Sequence, residues 1–182
     1  MGRPVEQPAD ITDDGIDRVS IRPIGTPGDL GWMIMAHGEL YDLEFGWDTR
    51  FEALVARIVA DFAASADPSR EAGWIAELDG SRVGCVLCVA DHDEPQGTAA
   101  RLRILLVDPD ARGHGVGTRL VDTCVDFARQ AGYRRLNLWT NSVLGAARRI
   151  YRSRGFVLTE EDPHHSFGQD LVGESWSLPL AS

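Results

Sequence analysis

The chain is 182 residues long, enough for one ordinary domain with a real core, and its net charge of −10 argues against a nucleic-acid surface, which needs a basic face. No run of about 18 apolar residues appears, and the opening stretch MGRPVEQPADITDD is polar, so neither a transmembrane helix nor a secretory signal is expected and the protein should be soluble and cytoplasmic. All 18 basic residues are arginine, as codon bias in a GC-rich genome would give, and this removes any mechanism that requires a lysine.

Residues 1–19 read as a flexible tail and 20–182 as a single domain. SIRPI (Ser20 to Ile24) is expected to be the first strand, with Pro23 marking a sheet edge. From Asp29 to Trp47 the pattern turns helical: Met33, Ala36, Leu40, Leu43 and Trp47 form an apolar stripe. Beside it His37, Tyr41, Glu44 and Asp48 fall three or four apart and share a polar stripe. A second helix follows from Arg50 to Ala64. GWIAEL (Gly73 to Leu78), the turn DGS and RVGCVLCVA (Arg82 to Ala90) predict a hairpin by the Asp-Gly signal. Cys85 and Cys88 there spell C-x-x-C, the spacing of a redox pair or half a zinc site. No second Cys/His pair stands at metal spacing, so these two and Cys124 are expected to be buried structural thiols and no metal is expected.

RLRILLV (Arg101 to Val107) predicts a third apolar strand, and it runs into VDPDARGHGVGTRL. A helix from about Gly115 to Gln130 should turn Val116, Leu120, Cys124 and Phe127 inward and end at Gly132. A strand over Arg134 to Thr140, a short helix over Val143 to Arg154 stopped by Gly155, and a final pair, FVLTEE with VGESWSLPL, complete the chain. The order is β-α-α-β-β-β-α-β-α-β-β, an α/β (α+β) class with a mixed central sheet of about seven strands and about four helices.

Strand, glycine-bearing turn and helix together make an arrangement for binding phosphate, because the first turn of a helix presents unpaired N–H groups and a partial positive charge. Gly113, Gly115 and Gly117 let the backbone approach an anion, and Arg112 adds a charge. The P-loop is excluded, since no lysine exists to complete G-x-x-x-x-G-K-[ST]. The dinucleotide fingerprint G-x-G-x-x-G fails too: Thr118 takes its last glycine position counting from Gly113, and Leu120 takes it counting from Gly115.

What remains, R-x-x-G-x-G between an apolar strand and an amphipathic helix, resembles the pyrophosphate loop of the GNAT superfamily of acyl-CoA-dependent N-acyltransferases. IYRSRGF (Ile150 to Phe156) and the element order extend the resemblance over roughly residues 20 to 180. The resemblance implies a GNAT fold in which the strand before the loop splays from its neighbour. Leu105, Leu106 and Val107 would then pair with the pantetheine arm. The pyrophosphate would sit on Arg112, Gly113, His114, Gly115, Val116, Gly117 and Thr118. It implies Tyr151 as the general acid for the departing thiolate and a backbone N–H near Leu106 or Val107 as carbonyl polariser. The strand glutamate that serves some members as base is absent, since that strand offers only Arg101 and Arg103. Candidates in its place are His37, Tyr41 and Glu44, the pair His164 and His165, or a water.

Many members place an asparagine seven residues before the tyrosine to hold the cofactor arm; here that position is Leu144, and Asn141 stands as its substitute. Arg148, Arg149, Arg152 and Arg154 are either contacts for the 3′-phosphate or an exposed basic face. HGELYDLEFGWDTRFEALVARIVADF and EDPHHSFGQDLVGESW also resemble the acetyltransferase half of bacterial MarR-type/GNAT fusions, here expected without the helix-turn-helix.

The implied activity is N-acetyl transfer from acetyl-CoA, as co-substrate, to an amine of a small molecule or peptide in a ternary complex. No nucleic acid and no membrane are expected as partners, and Trp32, Trp47 and Trp176 are core, acceptor wall or homodimer contact. A non-catalytic acyl-CoA sensor or partner-binding module and a thioesterase-like hydrolase are the competing classes.

Overall fold

A computed structural model describes residues 18–180. Of the expected tail, residues 1–17 lie outside the described residues, and the first strand, β1 (Val19–Pro23), begins one residue earlier than its sequence pattern indicates. Two helices follow, α1 (Asp29–Phe45) and α2 (Thr49–Ser65). Gly46 ends α1 in the left-handed conformation at φ 66°, donating back to the Asp42 carbonyl. Asp48 then caps α2 by accepting from the Arg50 amide, an interaction typically worth about 1 kcal/mol.

β2 (Ala72–Leu78) and β3 (Ser81–Ala90) form the expected hairpin, and Asp79 and Gly80 both take the positive φ that a two-residue turn of this hand demands. β4 (Ala99–Val107) leads through a single 3-10 turn, Pro109–Ala111, into α3 (Val116–Gln130). β5 (Arg135–Asn141), α4 (Gly145–Ser153), β6 (Val157–Ser166) and β7 (Gln169–Pro179) complete the order. The seven strands make one sheet in the order β1-β2-β3-β4-β5-β7-β6. Only the central β4–β5 pair is parallel, so the chain changes direction beside the site described below.

Each face of the sheet buries a helical layer. On one side α3 sets Val116, Leu120, Val121 and Cys124 against Val86, Cys88, Leu102 and Leu136. On the other, Met33 of α1 and Val55 and Val59 of α2 cover Ile75, Cys85 and Leu87. A fully buried leucine such as Leu120 contributes roughly 1.5–3 kcal/mol relative to exposure, and such contacts hold the layers in place. Cys85 and Cys88, three apart on one strand, belong to opposite faces and cannot act as a pair; they and Cys124 are free and buried, as expected.

Two expectations need correction. Of the apolar stripe expected between Asp29 and Trp47, Met33 and Trp47 are buried and Ala36 and Leu40 pack on the core, whereas Leu43 is 81% exposed; His37 and the ring of Tyr41 turn inward as well. His37 and Tyr41, grouped in the polar stripe, both carry apolar ring surface that packs well. The terminal hairpin is also longer than expected: beyond FVLTEE, DPHHS (Asp162 to Ser166) continues β6 as an exposed edge strand, where Pro163 costs no ladder hydrogen bond.

Candidate active site

β4 and β5 stay paired only as far as Leu102 and Leu138 and then diverge. On its other side β4 carries a bulge against β3, where the register slips between Cys85 and Leu87. Ile104 sits in that bulge at φ 47°, a conformation that a β-branched residue adopts at a cost of about 1–3 kcal/mol. Beyond this bulge the segment from Leu105 to Val107 borders open space. The Asp108 amide bonds back to Val83, so the alternation of amide directions aims the Val107 N–H into the opening.

A cleft of about 630 Å³ occupies the splay on the α3–α4 side. Leu105, Leu106 and Val107 form one wall, and Arg112, Gly113 and Gly115 to Thr118 form the end. Gly115 takes φ 73° and α3 has no side-chain cap, so its first-turn amides face the cleft unpaired. Gly117 serves a different need: a Cβ there would lie 2.8 Å from Ile150. His114 and Asn141 do not line this cleft.

A second, smaller chamber of about 110 Å³ lies on the α1–α2 side, and Tyr41, Leu105, Leu144 and Ala147 line both spaces. Asn141 lines this chamber instead, with its side-chain oxygen 2.9 Å from His164 Nε2. Tyr151 also faces it from α4; its hydroxyl makes no hydrogen bond among the described residues, and burial pushes it up, keeping it protonated. His37 is the other titratable wall. Its Nδ1–H donates to the Met33 carbonyl at 2.7 Å, which leaves Nε2 as a buried, unpaired acceptor. The Ile104 carbonyl lies nearby without bonding geometry; both carbonyls favour the charged ring, but burial prevails and pushes it down to about 4.

Glu44 lines the larger cleft only and forms an ion pair with Arg112, bridging α1 to the glycine loop. Sequence spacing placed it beside His37, but the helix turns it toward the loop. Of the arginine run, Arg148 is bound to the buried Glu174, Arg154 to Asp122, and Arg152 lies over the Trp176 ring. Arg149 alone of the four borders the cleft with no such partner among the described residues. Trp47 is a buried wall of the smaller chamber, Trp176 is core, and Trp32 packs half-buried against the helical layer. His165 hydrogen-bonds Asp170 at the exposed edge. Arg103, which sequence reading treated only as the absence of a glutamate, lines the smaller chamber. No signal in the sequence marked it, because a lone arginine on a strand carries no pattern. Among the described residues no helix is long and apolar enough to cross a membrane.

The model of the acetyltransferase (GNAT) family matches residues 37–156. An uncharacterized N-acetyltransferase of Schizosaccharomyces pombe, C1271.07c, is 29% identical over 147 residues, 81% of this chain and 88% of that protein. The Methanocaldococcus jannaschii N-acetyltransferase MJ1207 is 31% identical over 85 residues, 46% of this chain and 38% of that protein. The chain spans about two fifths of the length of that relative and of several other curated N-acetyltransferases it matches. Among solved structures, yncA of Salmonella typhimurium, described as an acetyltransferase with its cofactor acetyl-CoA, superposes with a TM-score of 0.67 at 20% identity, covering 90% of this chain and 95% of that one.

Proposed function

Because the chain belongs to the acetyltransferase (GNAT) family, we propose that it transfers an acetyl group from acetyl-CoA to a primary amine by direct attack in a ternary complex. The observation that carries this reading is the pair of cavities sharing walls at the β4 splay, one edged by the glycine loop and the other by Tyr151 and His37. Acetyl-CoA suits the larger cleft: the pyrophosphate on the amides of Gly113 and Gly115 to Thr118, the pantetheine along Leu105 to Val107, and Arg149 toward a phosphate.

The acceptor amine would enter the smaller chamber. Its nitrogen attacks the thioester carbonyl, whose oxygen takes a hydrogen bond from the Val107 N–H, a donor of a kind worth about 3 kcal/mol. His37 Nε2, neutral and unpaired, accepts the proton that the amine sheds, and Tyr151 protonates the departing thiolate. Glu44 is better suited to hold Arg112 in place than to act as base, since it faces the cofactor side and its charge is engaged. Asn141, which borders the smaller chamber and bonds His164, is better placed on the acceptor side than to hold pantetheine. The single-domain reading of residues 20–182, cytoplasmic location and a lineage shared with bacterial MarR-type fusions belong to the same proposal.

Calorimetric titration with acetyl-CoA tests the cofactor half directly. Binding that Gly117→Val weakens at least tenfold supports it, because the new side chain would collide with Ile150 beside the pyrophosphate amides. Binding unchanged by that substitution would refute the loop assignment.

A further inference from the structure

The smaller chamber has a charge opposite to that of the whole chain. The protein carries −10, yet among the described residues no aspartate or glutamate lines this chamber, and the one formally charged side chain in its lining is Arg103. Arg103 follows Leu102, the last β4 residue paired with β5, so the splay itself opens the space beside it. Two residues earlier, Arg101 is engaged by both Asp91 and Asp93. Arg103 by contrast makes no hydrogen bond or ion pair among the described residues. Asp61, Asp91 and Asp93 are near enough to favour its charge, but Asp91 and Asp93 are held by Arg101, and Asp91 also accepts from Asn137. Burial, reinforced by the Arg101 charge, outweighs them and holds the guanidinium below its ordinary range.

A half-buried guanidinium with no partner is costly beside apolar walls, and an anionic ligand would complete it. The other walls narrow the ligand further. Trp47, Phe51, Leu54 and Ile58 form an apolar lining, and His37 Nε2 supplies an unpaired acceptor for an N–H. At about 110 Å³ the chamber is much smaller than the cofactor-side cleft, which suits a short side chain rather than a long one.

Building on the acetyl-transfer reading, we infer that the acceptor is a small apolar amino acid, whose amine meets His37 and whose carboxylate is read by Arg103. A polyamine fits poorly, because its second ammonium would meet a guanidinium and find no carboxylate in the lining. The planar fork of arginine matches a carboxylate in two-pronged geometry, which gives selection by shape as well as by charge.

The test compares kcat/KM for leucine, leucinamide and 3-methylbutylamine in the wild type, Arg103→Gln and Arg103→Ala, with acetyl-CoA affinity measured on each protein. Because the variant-to-wild-type comparison is made on the same three amines, their intrinsic reactivities cancel. The wild type should prefer leucine roughly ten- to a hundredfold, as charge-assisted hydrogen bonds allow. Both variants should keep acetyl-CoA binding and lose that preference. Since the charge at this site opposes burial, Arg103→Gln should fold at least as well as the wild type. Equal use of the three amines by the wild type, or an undiminished preference in the folded variants, overturns the inference and leaves acetyl transfer standing. So does failure on all three while other amines are acetylated. Failure on every amine strikes the transfer reading beneath it.

Discussion

Burial keeps His37 neutral, as its proposed role requires, and the same burial makes it a pH-dependent element of stability. Its unfolded ring takes a proton near 6.5, while the folded ring resists until about 4. The stabilisation is therefore whole above about 6.5 and is lost as pH falls toward 4, by up to about 3 kcal/mol. Urea unfolding at pH 7 and pH 4.5 should show the wild type losing more stability than His37→Gln, and equal losses would place the ring in a solvated site. The same substitution should lower kcat by about a hundredfold or more with acetyl-CoA affinity kept. Tyr151→Phe should do likewise, about 10²- to 10⁴-fold, through loss of the proton donor; unchanged turnover would remove Tyr151 from the chemistry. His37 and the loop glycines stood out in the sequence as residue types at suggestive spacings, and Tyr151 through the family resemblance of IYRSRGF. The bond from His37 to Met33, which fixes its tautomer, and the ion pair that draws Glu44 to Arg112 were not, because both depend on where α1 turns its faces.

Strand β4 and the loop after it concentrate the strain of the fold. Ile104 at positive φ and the bulge against β3 are costs that a regular strand would avoid, while the left-handed glycines let the loop turn without such a cost. Gly113→Ala and Gly115→Ala should each cost about 1 kcal/mol or more by denaturant titration, because both positions hold φ near 80° in open space where only the backbone conformation is at stake. No cost at either would mean that the loop relaxes freely. Breaking the link from α4 to β7 is a harsher change: Glu174→Ala leaves the partly buried Arg148 without its carboxylate and should cost about 3–5 kcal/mol, read by the same titration. Element order and most boundaries followed from hydrophobic period, Asp-Gly and helix-stopping glycines. The extension of β6 did not, because a solvent-facing edge strand has no apolar alternation to betray it. The arginine run of α4 was equally mute, since only three dimensions reveal that three of its four members already have partners.

At the scale of the whole molecule, one parallel strand pair opened at its end divides the space between two helical layers into a larger cleft, proposed for the cofactor, and a smaller chamber, proposed for the acceptor. Class and topology were readable because every local signal agreed with the sheet they build. The chambers were not, because cavities are made by residues far apart in sequence. A ligand that bridges the splay should tighten the fold: acetyl-CoA at a hundred times its Kd should add about 2.7 kcal/mol, a rise of roughly 5–10 °C in Tm. No shift at saturating ligand would contradict the cleft assignment. The central claim is that the two chambers form one acetyl-transfer site, and the rate of free-thiol release from acetyl-CoA with and without an amine tests it most directly. Across a panel of amino acids, amines and peptides, the account predicts release that depends on the amine and collapses in Tyr151→Phe. Release that ignores the amine, or none above the uncatalysed background with acetyl-CoA bound, would contradict it.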